Sequence, residues 1–223
     1  MNERRQAASP SDGVVLLHGI SRTARSFRRM ELALQDAGFA TLNLDYDSRR
    51  KPLDALAEDI HPAIDPFANG LGGSIHFVCH SMGGLLARAY LARHRPPRLG
   101  RVVMLGTPNG GSEIADRLKD FRAYRALFGP AGQQLGTRRD PATTALLPAI
   151  DYSLGIIAGN RSIYPITSLP LPRPHDGRVS VANTKLDGMA DHIVIPASHP
   201  WLVRNGEAIV QTIMFLQAGT FRH

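Results

Sequence analysis

The run Ile75-His-Phe-Val-Cys-His-Ser-Met-Gly-Gly-Leu-Leu86 sets a serine where a strand-like apolar segment stops and a helix-like one begins. A serine on such a tight turn holds its Oγ out at the carboxyl edge of a sheet. Small residues after it, here Gly83 and Gly84, let the helix approach the strand. The first helical turn then offers free N–H groups and a positive dipole end to any oxyanion formed beside the hydroxyl. Ser81 is therefore a candidate nucleophile. A hydroxyl near its ordinary pKa attacks poorly, so this chemistry needs an imidazole base, itself oriented by a carboxylate. The chain holds nine histidines, and serine position alone does not choose among them.

His80-Ser-Met-Gly-Gly84 resembles the nucleophile elbow of the α/β-hydrolase superfamily, in its lipase and esterase branch. The motif reads Gly-x-Ser-x-Gly, and Cys79 stands where its first glycine belongs. Cysteine is small and apolar, so the turn is expected to accommodate it and to keep it buried, protonated and inert. Leu16-Leu-His-Gly-Ile20 is a second point of resemblance. It implies that the backbone N–H groups of Ile20 and Met82 form an oxyanion hole, with His18 a structural hydrogen-bonder.

The superfamily order is serine, then acid, then histidine. Pro174-His-Asp-Gly-Arg-Val-Ser-Val181 resembles the Asp-Gly-x-Val acid loop of bacterial lipases, which implies Asp176 as the acid. Ser198-His-Pro200 follows the last strand-like run, His192–Ile195, and implies His199 as the base. His192, His175 and His80 stand as rival bases, His80 being expected to face away from the site. Asp187 and Asp191 stand as rival acids. Met104-Leu-Gly-Thr-Pro-Asn-Gly-Gly-Ser112 is similar to a run that follows a sheet strand in lipases, and is expected to pack beside the site. Related bacterial lipases carry a calcium-binding aspartate two residues beyond the catalytic histidine, where this chain has Trp201. Calcium needs hard oxygen ligands, so the expectation is no calcium, no other metal and no cofactor.

Strand and helix signals alternate along the chain in the way such a site requires. Strand-like runs fall at Gly13–His18, Thr41–Tyr46, Ile75–Cys79, from Arg101, at Leu154–Ala158 and at His192–Ile195. Helical periods fall at Arg25–Ala37, Pro52–Ile64, Ser81–His94 and Glu207–Leu216. Asn69-Gly-Leu-Gly-Gly-Ser74 precedes a strand and lacks Gly-Lys-Ser/Thr, so it reads as a turn and not a phosphate loop. Buried-type strands alternating with helices predict a mostly parallel sheet covered on both faces. The fold class is therefore α/β, in one domain spanning residues 1–223, and the resemblance implies an α/β-hydrolase fold. Residues 112–152, with a helical piece over Ile114–Phe128 among several glycines and prolines, are expected to form a small cap over the crevice.

Composition agrees with an ordinary globular domain: 43% hydrophobic and 20% charged residues exclude wholesale disorder. No apolar run approaches the length of a membrane span, and Val14–Leu17 is too short for a signal-peptide core, so a cytoplasmic or mature form is expected. One cysteine excludes an intramolecular disulfide. The net charge of +7 comes almost wholly from scattered arginines. They belong to no nucleic-acid module and read as a solvated surface. The sequence thus points to a serine hydrolase of carboxylic esters acting on small acyl substrates, without nucleic acid or membrane insertion. Acyl transfer, thioester hydrolysis and a non-catalytic binding protein are the alternatives.

Overall fold

The computed structural model describes residues 12–169 and 171–223. Among these residues six strands form one parallel sheet: β1 Gly13–Leu17, β2 Ala40–Leu44, β3 Ile75–His80, β4 Leu99–Leu105, β5 Leu154–Gly159 and β6 Asp191–Ile195. Their order is β2-β1-β3-β4-β5-β6, with every neighbouring pair parallel.

Side chains alternate across this sheet and fill two separate cores, as the period of two requires. Val15, Leu17, Phe77, Cys79, Val102 and Met104 face one side. Helices α2 (Leu53–Gly70) and α3 (Met82–Arg93) cover them. Val14, Leu16, Val78, Val103, Leu105 and Ile157 face the other side, beneath α1 (Arg28–Asp36) and α8 (Gly206–Ala218). The α3 helix is buried continuously from Met82 to Leu91, so it crosses the centre of the sheet and cannot shift without disturbing the core.

The chain lays β2 on one side of β1 and β3 on the other, so the strand order reverses between β1 and β3. In open parallel sheets the ligand crevice lies beyond the strand ends at such a point. The Gly19-Ile20 turn and Ser81 leave the sheet at these two ends.

Three expectations from the sequence need correction. The α2 helix runs past Ile64 through Pro62 and Pro66 to Gly70, taking in Asn69 and Gly70 from the supposed turn. Both prolines lie on the exposed face, where water can satisfy the carbonyls that lose their N–H partners. The Ile114–Phe128 period is divided between α4 (Glu113–Leu118) and α5 (Arg122–Gln133), and α5 breaks again at Gly129. A short first helical turn at Ala24–Phe27 is 3-10 and not α. Beyond α5, α6 (Pro141–Ala145) is capped by Asp140, whose side chain accepts from the Thr143 amide, and α7 (Val181–Thr184) precedes β6.

Candidate active site

Ser81 sits between β3 and α3 with φ 55° and ψ −125°, a backbone conformation that costs an L-residue energy and is held by its surroundings. Those surroundings are tight. A Cβ at Gly83 would lie 2.2 Å from the Leu17 carbonyl oxygen, and one at Gly84 would lie 2.1 Å from Thr107 Oγ1. Glycine at both positions lets α3 dock against the ends of β1 and β4, which fixes the serine above the sheet.

His199 lies 118 residues away in the chain, on a 3-10 turn (His199–Arg204) after β6. Its Nε2 is 2.9 Å from Ser81 Oγ, and its Nδ1 is 2.6 Å from Asp176 Oδ2. Asp176 is fully buried on the loop between β5 and α7. Its other oxygen accepts from the amides of Arg178 and Val179 at 2.9 and 2.8 Å. The Asp176 carbonyl in turn accepts from the His199 amide at 2.9 Å. Since Oδ1 is taken by two amides, Oδ2 is left to face the imidazole. A carboxylate can only accept, so Nδ1 carries the proton and Nε2 presents its lone pair to the serine hydroxyl.

The rival residues lie elsewhere. His192 meets Thr184 Oγ1 at 3.1 Å within β6. His175 Nδ1 accepts from the Gly177 amide at 3.1 Å. Asp191 takes the amides of His192 and Phe221, and Asp187 is exposed. His18 Nδ1 donates to the Gly19 carbonyl at 2.8 Å, and the ring stacks on Tyr46 with centroids 4.0 Å apart. The Tyr46 hydroxyl also donates to the His18 carbonyl. This places the Gly19-Ile20 turn beside Ser81, with Ile20 and Ser81 lining the same crevice. The Met82 amide is the first of α3 and has no carbonyl four residues earlier in the helix to bond.

His80 does not face away from the site. Its Nε2 donates to the His199 carbonyl at 2.9 Å, with ring centroids 4.8 Å apart. Burial holds this imidazole well below its ordinary pKa, so it stays neutral, and His199 and Arg22 add to the effect. Gly106 is another neighbour: it has φ +58°, and a Cβ there would lie 3.0 Å from Asp176 Oδ2 and 3.2 Å from His199 Nδ1. Cys79 is fully buried inside β3, where desolvation raises its thiol pKa far above the usual value.

A cavity of about 290 Å³ opens over Ser81 and His199, walled on one side by Ile114, Leu118, Leu127, Phe128 and Leu135 of the 112–152 segment. Among the described residues no three His, Cys, Asp or Glu side chains gather as a metal site, and no helix is long and apolar enough to cross a membrane.

Known proteins share this arrangement of elements. The mature lipase BlEst2 of Bacillus licheniformis superposes with a TM-score of 0.78 at 18% identity, over 99% of this chain and 96% of its own. The metagenomic carboxyl esterase MGS0156 gives 0.68 at 19% identity, over 86% and 65%. At these identities the likeness is one of fold. By sequence, the mouse lysosomal thioesterase PPT2 is 26% identical over 164 residues, 66% of this chain and 54% of its own length. The chain thus spans about half the length of that relative. A model of the alpha/beta hydrolase family matches residues 14–212. The chain belongs to the alpha/beta hydrolase family.

Proposed function

We propose that the protein hydrolyses carboxylic esters or thioesters through an acyl-enzyme on Ser81. The observation that carries this reading is the continuous hydrogen-bonded line from Ser81 Oγ through His199 to Asp176, at 2.9 and 2.6 Å. His199 Nε2 takes the hydroxyl proton as Oγ attacks the acyl carbonyl, then returns it to the leaving oxygen or sulfur. Asp176 keeps the imidazole in the required tautomer and stabilises the imidazolium. The amides of Ile20 and Met82 receive the oxyanion; one such donor is worth roughly 3–4 kcal/mol of barrier. Water, activated by the same histidine, then releases the acid.

The thioester arm has its own support, because the mouse relative is a lysosomal thioesterase. The chemistry on Ser81 is the same for both leaving atoms. The test is covalent labelling with a fluorophosphonate, followed by peptide mapping. One label is expected, on Ser81, and a label on any other serine would overturn the assignment. Ser81→Ala should remove turnover of p-nitrophenyl esters, leaving roughly 10³–10⁴ over the uncatalysed rate.

A further inference from the structure

A second cavity of about 250 Å³ adjoins the first, and the two share Arg22, His80 and Tyr164. Their walls differ. The one under the 112–152 segment is lined chiefly by aliphatic and aromatic side chains, and also by Arg22 and Arg178. The other is lined by Ile163, Pro200, Trp201 and Val203 together with Ser26, Arg22 and Arg204, and no carboxylate stands on its wall. An acyl compound whose carbonyl carbon meets Ser81 Oγ must send its acyl chain and its leaving group apart from a single atom. An apolar chain goes to the lobe under the 112–152 segment, because its apolar wall is the more extensive and burial there is favourable. The leaving group is left with the lobe that holds Arg204.

Among the described residues no carboxylate pairs with Arg22 or Arg204. The arginine ion pairs among the described residues are Arg28–Glu31, Arg50–Asp47, Arg93–Glu58 and Arg95–Asp151. Arg22 and Arg204 are in none of them, and both are exposed. A third cation, Arg29, donates through its guanidinium to the Arg204 carbonyl at 2.8 Å. Arg178, on the wall of the first lobe, lies 4.0 Å over the Tyr164 ring that both lobes share. The Arg22 amide donates to the Gly19 carbonyl at 3.2 Å, so its backbone is tied to the turn that carries Ile20. Like charges gathered without a counterion repel one another, and a bound anion relieves that repulsion while a cation adds to it.

We propose that the favoured substrates carry an anionic group on the leaving alcohol or thiol, held by Arg22 and Arg204. This rests on the Ser81 reading above and adds the class of leaving group to it. A guanidinium recognises carboxylate and phosphate oxygens alike, so both sources are tested.

The experiment compares kcat/KM for S-butyryl thioesters of one acyl chain: mercaptopropionate (anionic), its methyl ester (neutral) and thiocholine (cationic). A second pair, S-butyryl phosphopantetheine against S-butyryl pantetheine, supplies the phosphate arm. The expected order is anionic over neutral over cationic, each step roughly five- to tenfold at low salt and compressed by added salt. A larger ratio in the phosphate pair identifies phosphate as the preferred source, and a larger ratio in the carboxylate pair identifies carboxylate. In Arg22→Gln/Arg204→Gln the anionic-to-neutral ratio should fall to within about twofold. In Arg22→Glu/Arg204→Glu the order should reverse toward thiocholine, a gain that misfolding cannot mimic. Equal kcat/KM across the series, or ratios that survive in both variants, would overturn the inference. Ser81-dependent cleavage of the neutral thioester in that case would leave the proposed function standing. No cleavage of any thioester or p-nitrophenyl ester would remove both.

Discussion

His80 Nε2 donates to the backbone carbonyl of His199 at 2.9 Å, so the residue before the serine holds the loop of the imidazole that reaches it. The contact ties β3 to the turn after β6, at opposite flanks of the site. His80→Ala loses the donor and should lower kcat by roughly tenfold, the value of a net buried hydrogen bond. His80→Gln, whose amide nitrogen can take the place of Nε2, should recover most of that loss. A role in folding alone would lower the melting temperature of both variants and leave kcat of the folded fraction alike. Equal kcat in His80→Ala and His80→Gln would remove the positioning role.

Gly106 packs against the Asp176–His199 pair, with φ +58° and a virtual Cβ 3.0 Å from Asp176 Oδ2 and 2.8 Å from Leu202 Cδ1. A methyl group there is strained in backbone and displaces one of those partners. Gly106→Ala is expected to cut kcat on p-nitrophenyl butyrate by tenfold or more, and to cost about 1–3 kcal/mol of stability. Denaturant unfolding measures the second effect beside the first. Wild-type kcat in a folded Gly106→Ala protein would show that the pair tolerates displacement.

Much of this was readable from the chain. Apolar runs such as Val14–Leu17 and Phe77–Cys79 announce strands because both faces of the sheet are covered, so no polar alternation masks them. Ser81 is marked locally, since the close approach that demands Gly83 lies within the same turn. The proposed acid and base are not marked locally. Asp176 and His199 followed from the order of a resembling family, and only the folded chain brings the latter to 2.9 Å from the serine. Contacts made across the sheet left no signature at all. His80 was expected to face away, and nothing in its neighbours announces a carbonyl 119 residues distant. Arg22 and Arg204 read as scattered surface charge for the same reason.

Cys79 should be chemically silent. It is the sole cysteine, lies fully buried, and its thiol pKa is raised by desolvation, so almost no thiolate forms at neutral pH. Iodoacetamide is expected to leave activity unchanged over an hour in the native state and to label the residue after denaturation. Rapid inactivation at neutral pH would mean that the strand opens.

Stability should fall as pH drops below about 6.5. His18, His76 and His80 are buried, and burial lowers each imidazole pKa from its ordinary 6.5. Below that value the unfolded chain binds protons that the folded chain refuses. The stability from keeping these rings neutral is therefore complete above pH 6.5 and lost on acidification. Each such histidine contributes a slope of up to about 1.4 kcal/mol per pH unit. Asp191 and Asp140, whose carboxyl pKa values are lowered, lose their contribution only at more acid pH. Urea unfolding at pH 7.5, 6.5 and 5.5 measures the slope, and a flat or rising profile would contradict it.

Acyl length should show a plateau. The lobe beneath the 112–152 segment is a half-open space of about 290 Å³, walled by Ile114, Leu118, Leu127 and Phe128. Each methylene buried there contributes about 0.8 kcal/mol, close to fourfold in kcat/KM, and nothing further is gained once the lobe is full. The wall consists of short helices broken at Gly129 and carrying Arg117, Arg122 and Arg125. Such a wall suits a small pocket better than a broad apolar lid that spreads on lipid. kcat/KM on p-nitrophenyl esters should therefore climb from acetate through medium chains and then level off. The rate should also cross the solubility limit of each ester without a jump. Weak action on soluble esters, with a steep rise on long-chain triglyceride emulsions, would instead make the 112–152 segment a lid opened by the lipid surface.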